Sequence, residues 1–332
     1  MRIQIIGLGN VGRSLIDLVN QEEDALKCLG LDFKVVSISD TTGTTIDNDG
    51  LDLKTIMGHK KEKWSGFKGY NLGYSGLDAI KNVKSDVVVE LTPSTNSGEP
   101  GLSHIKQALN ERKNVVTANK GPLVTSYDEI TELAEANGVK LLYEATVSAH
   151  LPTFCLMNSC FKIDKMMKIE GILNATTNFI IGEVESGKSF ETALDYAIKA
   201  GWAETNYADD VDGIDSARKL VILSNTIFKS HSRLEDVKIE GIRNIEPIVA
   251  EAKKRNMKVK LLCTINASSK GVLMEVSPKM INRDDPFSTV NQGDMGIRYH
   301  YKNSQKTFVS VQFNSPMQTA YAVLNDIIKM DK

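Results

Sequence analysis

A glycine-rich turn near the N-terminus limits the possible folds of this chain more than any other feature. The residues Gly7-Leu8-Gly9-Asn10-Val11-Gly12 follow directly on the strand-like run Ile3–Ile6, and a helical pattern starts near Val11. In a strand–turn–helix unit, the first glycine allows a tight turn, the second lets the backbone approach a pyrophosphate, and the third allows close helix–strand packing. The helix N-terminus presents free N–H groups to the phosphate charge. The chain is therefore predicted to bind a dinucleotide through Gly7, Gly9, Asn10, Val11 and Gly12.

Strands and helices alternate along the first 140 residues. Predicted strands cover Ile3–Ile6, Lys34–Ser39, Asp86–Leu91, Asn114–Thr117 and Lys140–Tyr143, and predicted helices begin near Val11 and cover Leu102–Glu111 and Tyr127–Asn137. This alternation predicts an α/β fold with a Rossmann-type, doubly wound parallel sheet.

The pattern changes near residue 150. Longer predicted strands, Met166–Ile172 and Met257–Asn266, are accompanied by predicted helices over Phe190–Ala200 and Ile214–Phe228, which indicates an α+β domain. We expect a dinucleotide-binding domain over residues 1–140 and a second domain over residues 141–316. The final helical stretch, 317–330, is a candidate to pack back on the first domain.

Composition excludes several classes of protein. The formal net charge is −2 over 332 residues, so neither a nucleic acid nor an acidic membrane surface is an expected partner. The apolar start is too short for a signal peptide or a membrane span, and no later run reaches that length. The four cysteines, Cys28, Cys155, Cys160 and Cys263, have no metal-ligand spacing, and we expect buried thiols in a reducing compartment. These features predict a cytosolic protein.

Asp40 follows the second predicted strand, where a carboxylate normally accepts hydrogen bonds from the adenosine ribose. It lies 28 residues after Gly12, so the first helix and its loop must be longer than usual. An acid at this position favours NAD, because a 2′-phosphate would meet like charge. Lys54 and the cluster Lys60–Lys63 can supply counter-charge, however, and the preference between NAD and NADP stays open.

Two lysines are candidates for the chemistry. Lys120 follows a predicted strand directly, and ligands of open α/β sheets bind at the carboxyl ends of strands. Lys219 lies one helical turn after Asp215 and one turn before Ile222, so the three share a face and Lys219 is expected to point inward. An inward lysine beside a carboxylate is oriented to act as a general acid. The alternatives are a solvated loop lysine for Lys120 and an ordinary exposed Asp–Lys pair for Lys219.

Several motifs in register resemble the homoserine dehydrogenase family. They are Thr92-Pro93, Ala118-Asn119-Lys120-Gly121-Pro122, Tyr143-Glu144-Ala145-Thr146-Val147, Gly171-Ile172-Leu173-Asn174-Ala175-Thr176-Thr177-Asn178, Gly201-Trp202-Ala203-Glu204 and Asp210-Val211-Asp212-Gly213-Ile214-Asp215-Ser216-Ala217-Arg218-Lys219. The resemblance implies reversible, NAD(P)-dependent oxidation of L-homoserine to L-aspartate 4-semialdehyde, a step in threonine, methionine and isoleucine biosynthesis.

The resemblance also implies roles for individual residues. Lys219 would donate a proton to the aldehyde oxygen as hydride arrives, and Lys120 would assist there while touching the cofactor, which Thr92 also contacts. Expected substrate-binding residues are Glu204, Asp210, Asp215, Thr177 and Gly201. A structural monovalent cation, usually sodium, would lie at the carbonyls of Glu144, Val147, Ala149 and Leu151. The second domain would contribute to substrate binding and to a homodimer.

Some residues depart from the family pattern. Ser148-Ala149-His150 and Phe313-Asn314-Ser315 each replace Gly-Ala-Gly, Asn206-Tyr207 replaces Asp-Pro, and Trp202 replaces a tyrosine. We expect His150 to be a buried, hydrogen-bonded structural residue. The chain ends at Lys332, so we expect no C-terminal regulatory domain and no threonine inhibition through one.

Two other functions are compatible with the same motifs. Another amino-acid-linked dehydrogenase, such as an aspartate dehydrogenase, would work through an imine and would not need the Asp215–Lys219 pair. A cofactor-sensing protein without catalysis is the second alternative, and only the altered segment Phe313-Asn314-Ser315 favours it.

Overall fold

The computed structural model describes residues 1–57, 67–203 and 207–330. The chain forms two compact units. The first contains Met1–His150 and Ser315–Lys332, and the second contains Leu151–Asn314.

The first unit is built on one seven-stranded sheet. Its strands are β1 (Arg2–Ile6), β2 (Lys34–Ser39), β3 (Gly43–Ile46), β4 (Tyr70–Leu72), β5 (Val87–Glu90), β6 (Asn114–Thr117) and β7 (Leu141–Leu142), in the order β4-β3-β2-β1-β5-β6-β7. The strands β2, β1, β5, β6 and β7 run parallel. The strand order reverses between β1 and β5, so this pair forms the switch point where open α/β sheets bind ligands. The predicted doubly wound sheet is confirmed.

Helices cover the sheet of the first unit. They are α1 (Asn10–Gln21), α2 (Glu23–Cys28), α3 (Leu53–Met57), α4 (Gly76–Asn82), α5 (Gly101–Asn110), α6 (Lys120–Thr125) and α7 (Tyr127–Asn137). Local signals set several ends: Ser75 and Asp78 form a capping box at the start of α4, and Gly138 ends α7 in a left-handed conformation. The central strand β5 is wholly buried, which explains its unbroken valine run.

The second unit carries a six-stranded sheet with helices. Its strands are β8 (Met166–Ile172), β9 (Val237–Ile239), β10 (Lys258–Ser268), β11 (Gly271–Ile281), β12 (Met295–Tyr301) and β13 (Lys306–Val311), in the order β13-β12-β8-β10-β11-β9. Its helices are α8 (Phe154–Cys160), α9 (Ala175–Glu185), α10 (Phe190–Lys199), α11 (Ala208–Val211), α12 (Ile214–Phe228) and α13 (Ile245–Lys254). Helices α9, α12 and α13 contact β10, so the longest strands form the base on which the helices lie.

The last helix, α14 (Pro316–Ile328), belongs to the first unit and packs against α1. Its buried face carries Ala320, Val323, Leu324 and Ile327 at helical spacing. Among the described residues, no helix is long and apolar enough to cross a membrane.

The structure contains several elements that were not predicted from the sequence, and one expectation differs. The antiparallel edge strands β3 and β4 and the short helix α6 were not predicted, because each has fewer residues than a periodic pattern needs to be visible. The expectation of four buried thiols is wrong for Cys28 and Cys160, which are exposed, and for Cys155, which is only half-buried. Cys263 is buried, and burial raises the pKa of its thiol to about 12, so this cysteine is unreactive.

Candidate active site

The glycine turn connects β1 to α1 at the switch point. Gly7 has a φ of +100°, and a Cβ there would lie 2.6 Å from the backbone of Leu91. A Cβ at Gly12 would lie 2.3 Å from the carbonyl oxygen of Gly7. At Gly9, by contrast, a Cβ would meet no heavy atom of the described residues within 4 Å. Gly7 and Gly12 are therefore required by packing, whereas Gly9 faces open space.

The start of α1 suits an anion. Gly9 is the N-cap residue, so no side chain caps the helix, and no acidic residue lies in the first turn, which includes Asn10 and Val11. The first N–H groups of a helix lack partners within the helix and attract negative charge. The residues therefore fit the pyrophosphate of a dinucleotide.

Asp40 lies directly after β2 and is held in one orientation. Its Oδ1 accepts hydrogen bonds from the backbone N–H and hydroxyl of Thr42, both at 2.7 Å, and from the N–H of Gly43 at 3.1 Å. These contacts start the antiparallel strand β3 and use only one of the two carboxylate oxygens. Lys54 lies 3.8 Å from Glu23 as an exposed ion pair, and Lys60–Lys63 lie outside the described residues.

A buried carboxylate organises the ends of β5 and β6. Glu90 is wholly buried and accepts hydrogen bonds from the N–H and hydroxyl of Thr92 and from the hydroxyl of Thr117. The amide of Asn119 donates to the Thr92 hydroxyl at 3.2 Å. Thr92 is thus joined to the residue that precedes Lys120.

Lys120 is the first residue of α6 rather than part of a loop. Asn119 is the N-cap of this helix, and its Oδ1 accepts hydrogen bonds from the N–H of Gly121 at 3.0 Å and the hydroxyl of Ser94 at 2.8 Å. The position of Lys120 is therefore set by neighbouring strands as well as by its own. Glu90 and Asn119 were not identified from the sequence, although a carboxylate directly after three buried valines is a usable signal.

The second unit brings Asp215 and Lys219 together at the start of α12. Their charged groups are 2.7 Å apart, and Lys219 is 9% exposed, so it points inward as the helical spacing predicts. The Lys219 ammonium also donates to the carbonyl oxygen of Leu173 at 2.5 Å. The alternative of an exposed surface pair is wrong for these two residues.

Asn174 joins the acidic residues, a role that was not predicted from the sequence. Its Nδ2 donates to Asp210 at 2.6 Å and to Asp215 at 2.9 Å, while its Oδ1 caps α9 through the N–H of Thr177. The Thr177 hydroxyl donates back to the carbonyl of Asn174 at 3.1 Å, and its side chain is buried. One amide therefore fixes two carboxylates beside Lys219; we refer to Asn174, Asp210, Asp215 and Lys219 as the acid–lysine cluster.

Gly201 lies in the turn after α10 with a φ of +77°, a conformation that favours glycine. The hydroxyl of Thr176 donates to the carbonyl of Trp202 at 2.7 Å, which ties this turn to α9. Glu204, a predicted substrate-binding residue, lies outside the described residues, as does Asn206.

The predicted cation-binding loop follows a short 3-10 helix, Glu144–Thr146. The buried carboxyl of Asp326 in α14 accepts a hydrogen bond from the N–H of Glu144 at 2.8 Å. Ser148 and Ala149 have φ values of +58° and +54°. Residues 147–153 form neither helix nor strand, so their carbonyls belong to no ladder, and the Leu151 carbonyl accepts a hydrogen bond from the Thr153 hydroxyl at 3.0 Å. A loop of this kind fits a cation that is held by carbonyl oxygens.

His150 differs from the expectation. Its side chain is half-buried, its Nδ1 has no hydrogen-bond partner among the described residues, and burial lowers its pKa. No cluster of three or more His, Cys, Asp or Glu side chains that could hold a metal ion occurs in the described ranges.

Comparisons with known proteins identify one family. Residues 7–144 match the family model described as the homoserine dehydrogenase NAD binding domain, and residues 152–328 match the model described as homoserine dehydrogenase. The chain is 38% identical to the homoserine dehydrogenase of Methanocaldococcus jannaschii over 99% of this chain and 98% of that protein.

Solved structures with a similar fold belong to the same family. The homoserine dehydrogenase of Thermoplasma acidophilum has a TM-score of 0.86 at 28% identity, with 100% of this chain and 99% of that chain covered. A hyperthermophilic archaeal homoserine dehydrogenase in complex with NADPH has a TM-score of 0.86 at 26% identity, with 99% and 97% covered.

Proposed function

The chain belongs to the homoserine dehydrogenase family, and we therefore propose that it interconverts L-homoserine and L-aspartate 4-semialdehyde with Lys219 as the proton donor. It is an NAD(P)-dependent oxidoreductase. When bound, the reduced nicotinamide supplies a hydride to the aldehyde carbon. The residues of the chain must then bind the substrate, orient it and deliver one proton to the aldehyde oxygen.

The hydrogen bonds that the Lys219 ammonium donates are the main support for the proposal. An ammonium group has three N–H donors. In the described part of the chain, Lys219 gives one to Asp215 and one to the carbonyl of Leu173. The third can point to the oxygen that gains negative charge during reduction, and a fixed cation there stabilises this charge. In the reverse direction the same nitrogen takes the proton back.

The acid–lysine cluster also suits the rest of the substrate. A zwitterionic amino acid needs carboxylates for its ammonium and donors for its own carboxylate. Asp210 and Asp215 supply fixed carboxylates because Asn174 holds both. We assign substrate contacts to Glu204, Thr177 and Gly201 as well, on the family resemblance.

In the first unit, we assign the cofactor to the glycine turn, Asp40, Thr92 and Lys120. The open space at Gly9 and the uncapped start of α1 support the pyrophosphate position. The network around Glu90 supports a fixed Thr92. We thus propose a nucleotide-binding role for the first unit and a substrate-binding role for the second.

The proposed function is tested by the absorbance of reduced nicotinamide during incubation with L-homoserine and either NAD or NADP. Turnover is expected with at least one nucleotide. We also propose a cytosolic location, which the four free cysteine thiols support. The assay therefore contains a reductant. Oxidation of reduced nicotinamide with ammonia and oxaloacetate, and not with the semialdehyde, would instead identify an aspartate dehydrogenase. Nucleotide binding without any turnover would identify a sensing protein.

We also propose that the loop after Glu144 holds a structural sodium ion on the carbonyls of Glu144, Val147, Ala149 and Leu151. An ion that binds only the folded chain stabilises it. Melting in sodium chloride is therefore expected at least about 2 °C above melting in choline chloride of equal ionic strength. Equal melting temperatures in the two salts would contradict the ion.

A homodimer formed through the second unit is a further proposal. Three large apolar side chains of this unit, Ile163, Met167 and Leu273, are exposed, and exposed apolar surface favours association. Sedimentation at micromolar concentration is expected to give twice the chain mass of 36.6 kDa. A mass of one chain would contradict the dimer.

A further inference from the structure

A second buried lysine of the second unit lies outside the acid–lysine cluster. Lys260 on β10 is 1% exposed, and its ammonium donates to Asn178 Oδ1 at 3.0 Å and to the carbonyl of Val290. Burial lowers its pKa to about 8, although the carboxylates of Glu185 on α9 and Asp294 oppose this effect and Lys258 adds to it. Burying a charge costs stability even where two neutral acceptors receive it. Lys260 therefore differs from an apolar core residue, because its buried charge depends on these two acceptors.

Lys260 determines the orientation of the Asn178 side chain. Because an ammonium can only donate, the amide oxygen of Asn178 must face it, and the amide nitrogen must face the other way. That nitrogen donates to the carbonyls of Val290 at 3.2 Å and Asp294 at 3.0 Å. Asn178 lies in α9, so the segment Val290–Asp294 is attached to this helix at both ends. Lys260 holds the same segment directly through Val290.

The segment Val290–Asp294 packs on the turn that contains Gly201. A Cβ at Gly293 would lie 2.0 Å from a ring carbon of Trp202, so the Gly293 backbone lies directly against the indole. The indole also stacks on Phe179 of α9, with ring centroids 5.4 Å apart and an interplanar angle of 19°. Trp202 therefore contacts both α9 and Gly293, and these contacts limit the conformations of the turn.

We propose that Lys260 is a positioning residue for substrate binding, which fixes Asn178 and the segment Val290–Asp294 so that Gly293 confines Trp202 and the Gly201 turn. The inference rests on the proposed function, because it assigns this turn to the substrate. Lys260 contacts none of the four residues of the acid–lysine cluster among its described hydrogen bonds. Its loss should therefore weaken substrate binding and leave proton transfer almost unchanged.

Lys260→Met tests the proposal, with Lys113→Met as the matched control. Lys113 is also a buried lysine with a lowered pKa, and it donates to the carbonyls of Ile80 and Val83 in the first unit. In Lys260→Met, the KM for homoserine is expected to rise about tenfold, with kcat within about threefold and an unchanged nucleotide Kd. Lys113→Met should leave this KM unchanged. An unchanged KM in folded Lys260→Met, or a fall in kcat as large as the rise in KM, would overturn the proposal.

Tryptophan fluorescence provides a readout that does not depend on activity. The sequence has two tryptophans, so Trp64→Phe leaves Trp202 as the single probe. Lys260→Met in this background is expected to shift the emission to the red and to increase acrylamide quenching, and Lys113→Met is not. Unchanged quenching in Lys260→Met would count against the proposal even if the enzyme proved inactive on homoserine, so the two failures are distinguishable.

Gly293→Ala tests the same connection without changing a buried charge. Its Cβ cannot fit against Trp202, so the segment must move away from the indole. The same rise in KM and in Trp202 quenching is expected. If Lys260→Met does not fold, Gly293→Ala can be measured in its place. A wild-type KM with wild-type quenching in Gly293→Ala would overturn the proposed link between the segment and the substrate turn.

Discussion

Lys219→Met is expected to lower kcat for homoserine oxidation at least about a hundredfold, with the nucleotide Kd retained. The buried lysine already gives two donors to Asp215 and Leu173, which orient the ammonium for its third. Methionine keeps the length and the apolar stem but removes both the proton and the charge. A steady-state assay that follows the absorbance of reduced nicotinamide measures kcat, and nucleotide titration of the same preparation measures Kd.

Lys219→Arg separates charge from proton donation. A guanidinium can keep the pair with Asp215, but it is not deprotonated in proteins and cannot serve as the general acid or base. We expect kcat to stay at least about tenfold below wild type, and Lys113→Met again serves as the control for loss of a buried lysine. Near-normal kcat in Lys219→Arg would mean that residue 219 only supplies a positive charge.

Gly9→Ala is expected to raise the Kd of the nucleotide at least about tenfold while the melting temperature changes by only a few degrees. The φ of Gly9 is −77°, which any residue adopts, and the added methyl group meets no described atom within 4 Å. The methyl group would instead occupy the space through which the pyrophosphate approaches the backbone. Titration calorimetry and thermal melting give the two values.

Gly12→Ala is the contrasting control. A Cβ at residue 12 would lie 2.3 Å from the Gly7 carbonyl, so α1 must move away from β1 and the melting temperature should fall clearly. If Gly9→Ala bound the nucleotide as tightly as wild type, the pyrophosphate would not lie at this turn. A loss of stability as large as that of Gly12→Ala would equally contradict the open space at Gly9.

Local sequence patterns were sufficient wherever one element carries the whole signal. The boundaries of β2, β6, α7 and α12 agree with the predicted ones residue for residue. The Asp215–Lys219 pair was predictable because its members are one turn apart on the same helix. The glycine turn was predictable because a strand, three glycines and a helix follow one another without interruption.

The sequence did not predict contacts between residues far apart in the chain. Asn174 bridges Asp210 and Asp215, which lie 36 and 41 residues further on. Glu90 accepts a hydrogen bond from the hydroxyl of Thr117, 27 residues away. Lys260 reaches Asn178 across 82 residues. No periodicity relates such positions, because their proximity depends on how the sheets and helices pack.

From local patterns we could therefore predict the α/β fold, the glycine turn, the Asp215–Lys219 pair and, through several motifs in register, the family. Only the folded chain shows which polar groups hold these residues in place, which cysteines are buried and how the edge strands β3 and β4 pair. The difference arises from the range of the interactions. Helical and strand periodicity acts over a few residues, whereas burial and hydrogen bonding of Glu90, Asn174 and Lys260 exist only after distant segments have packed together.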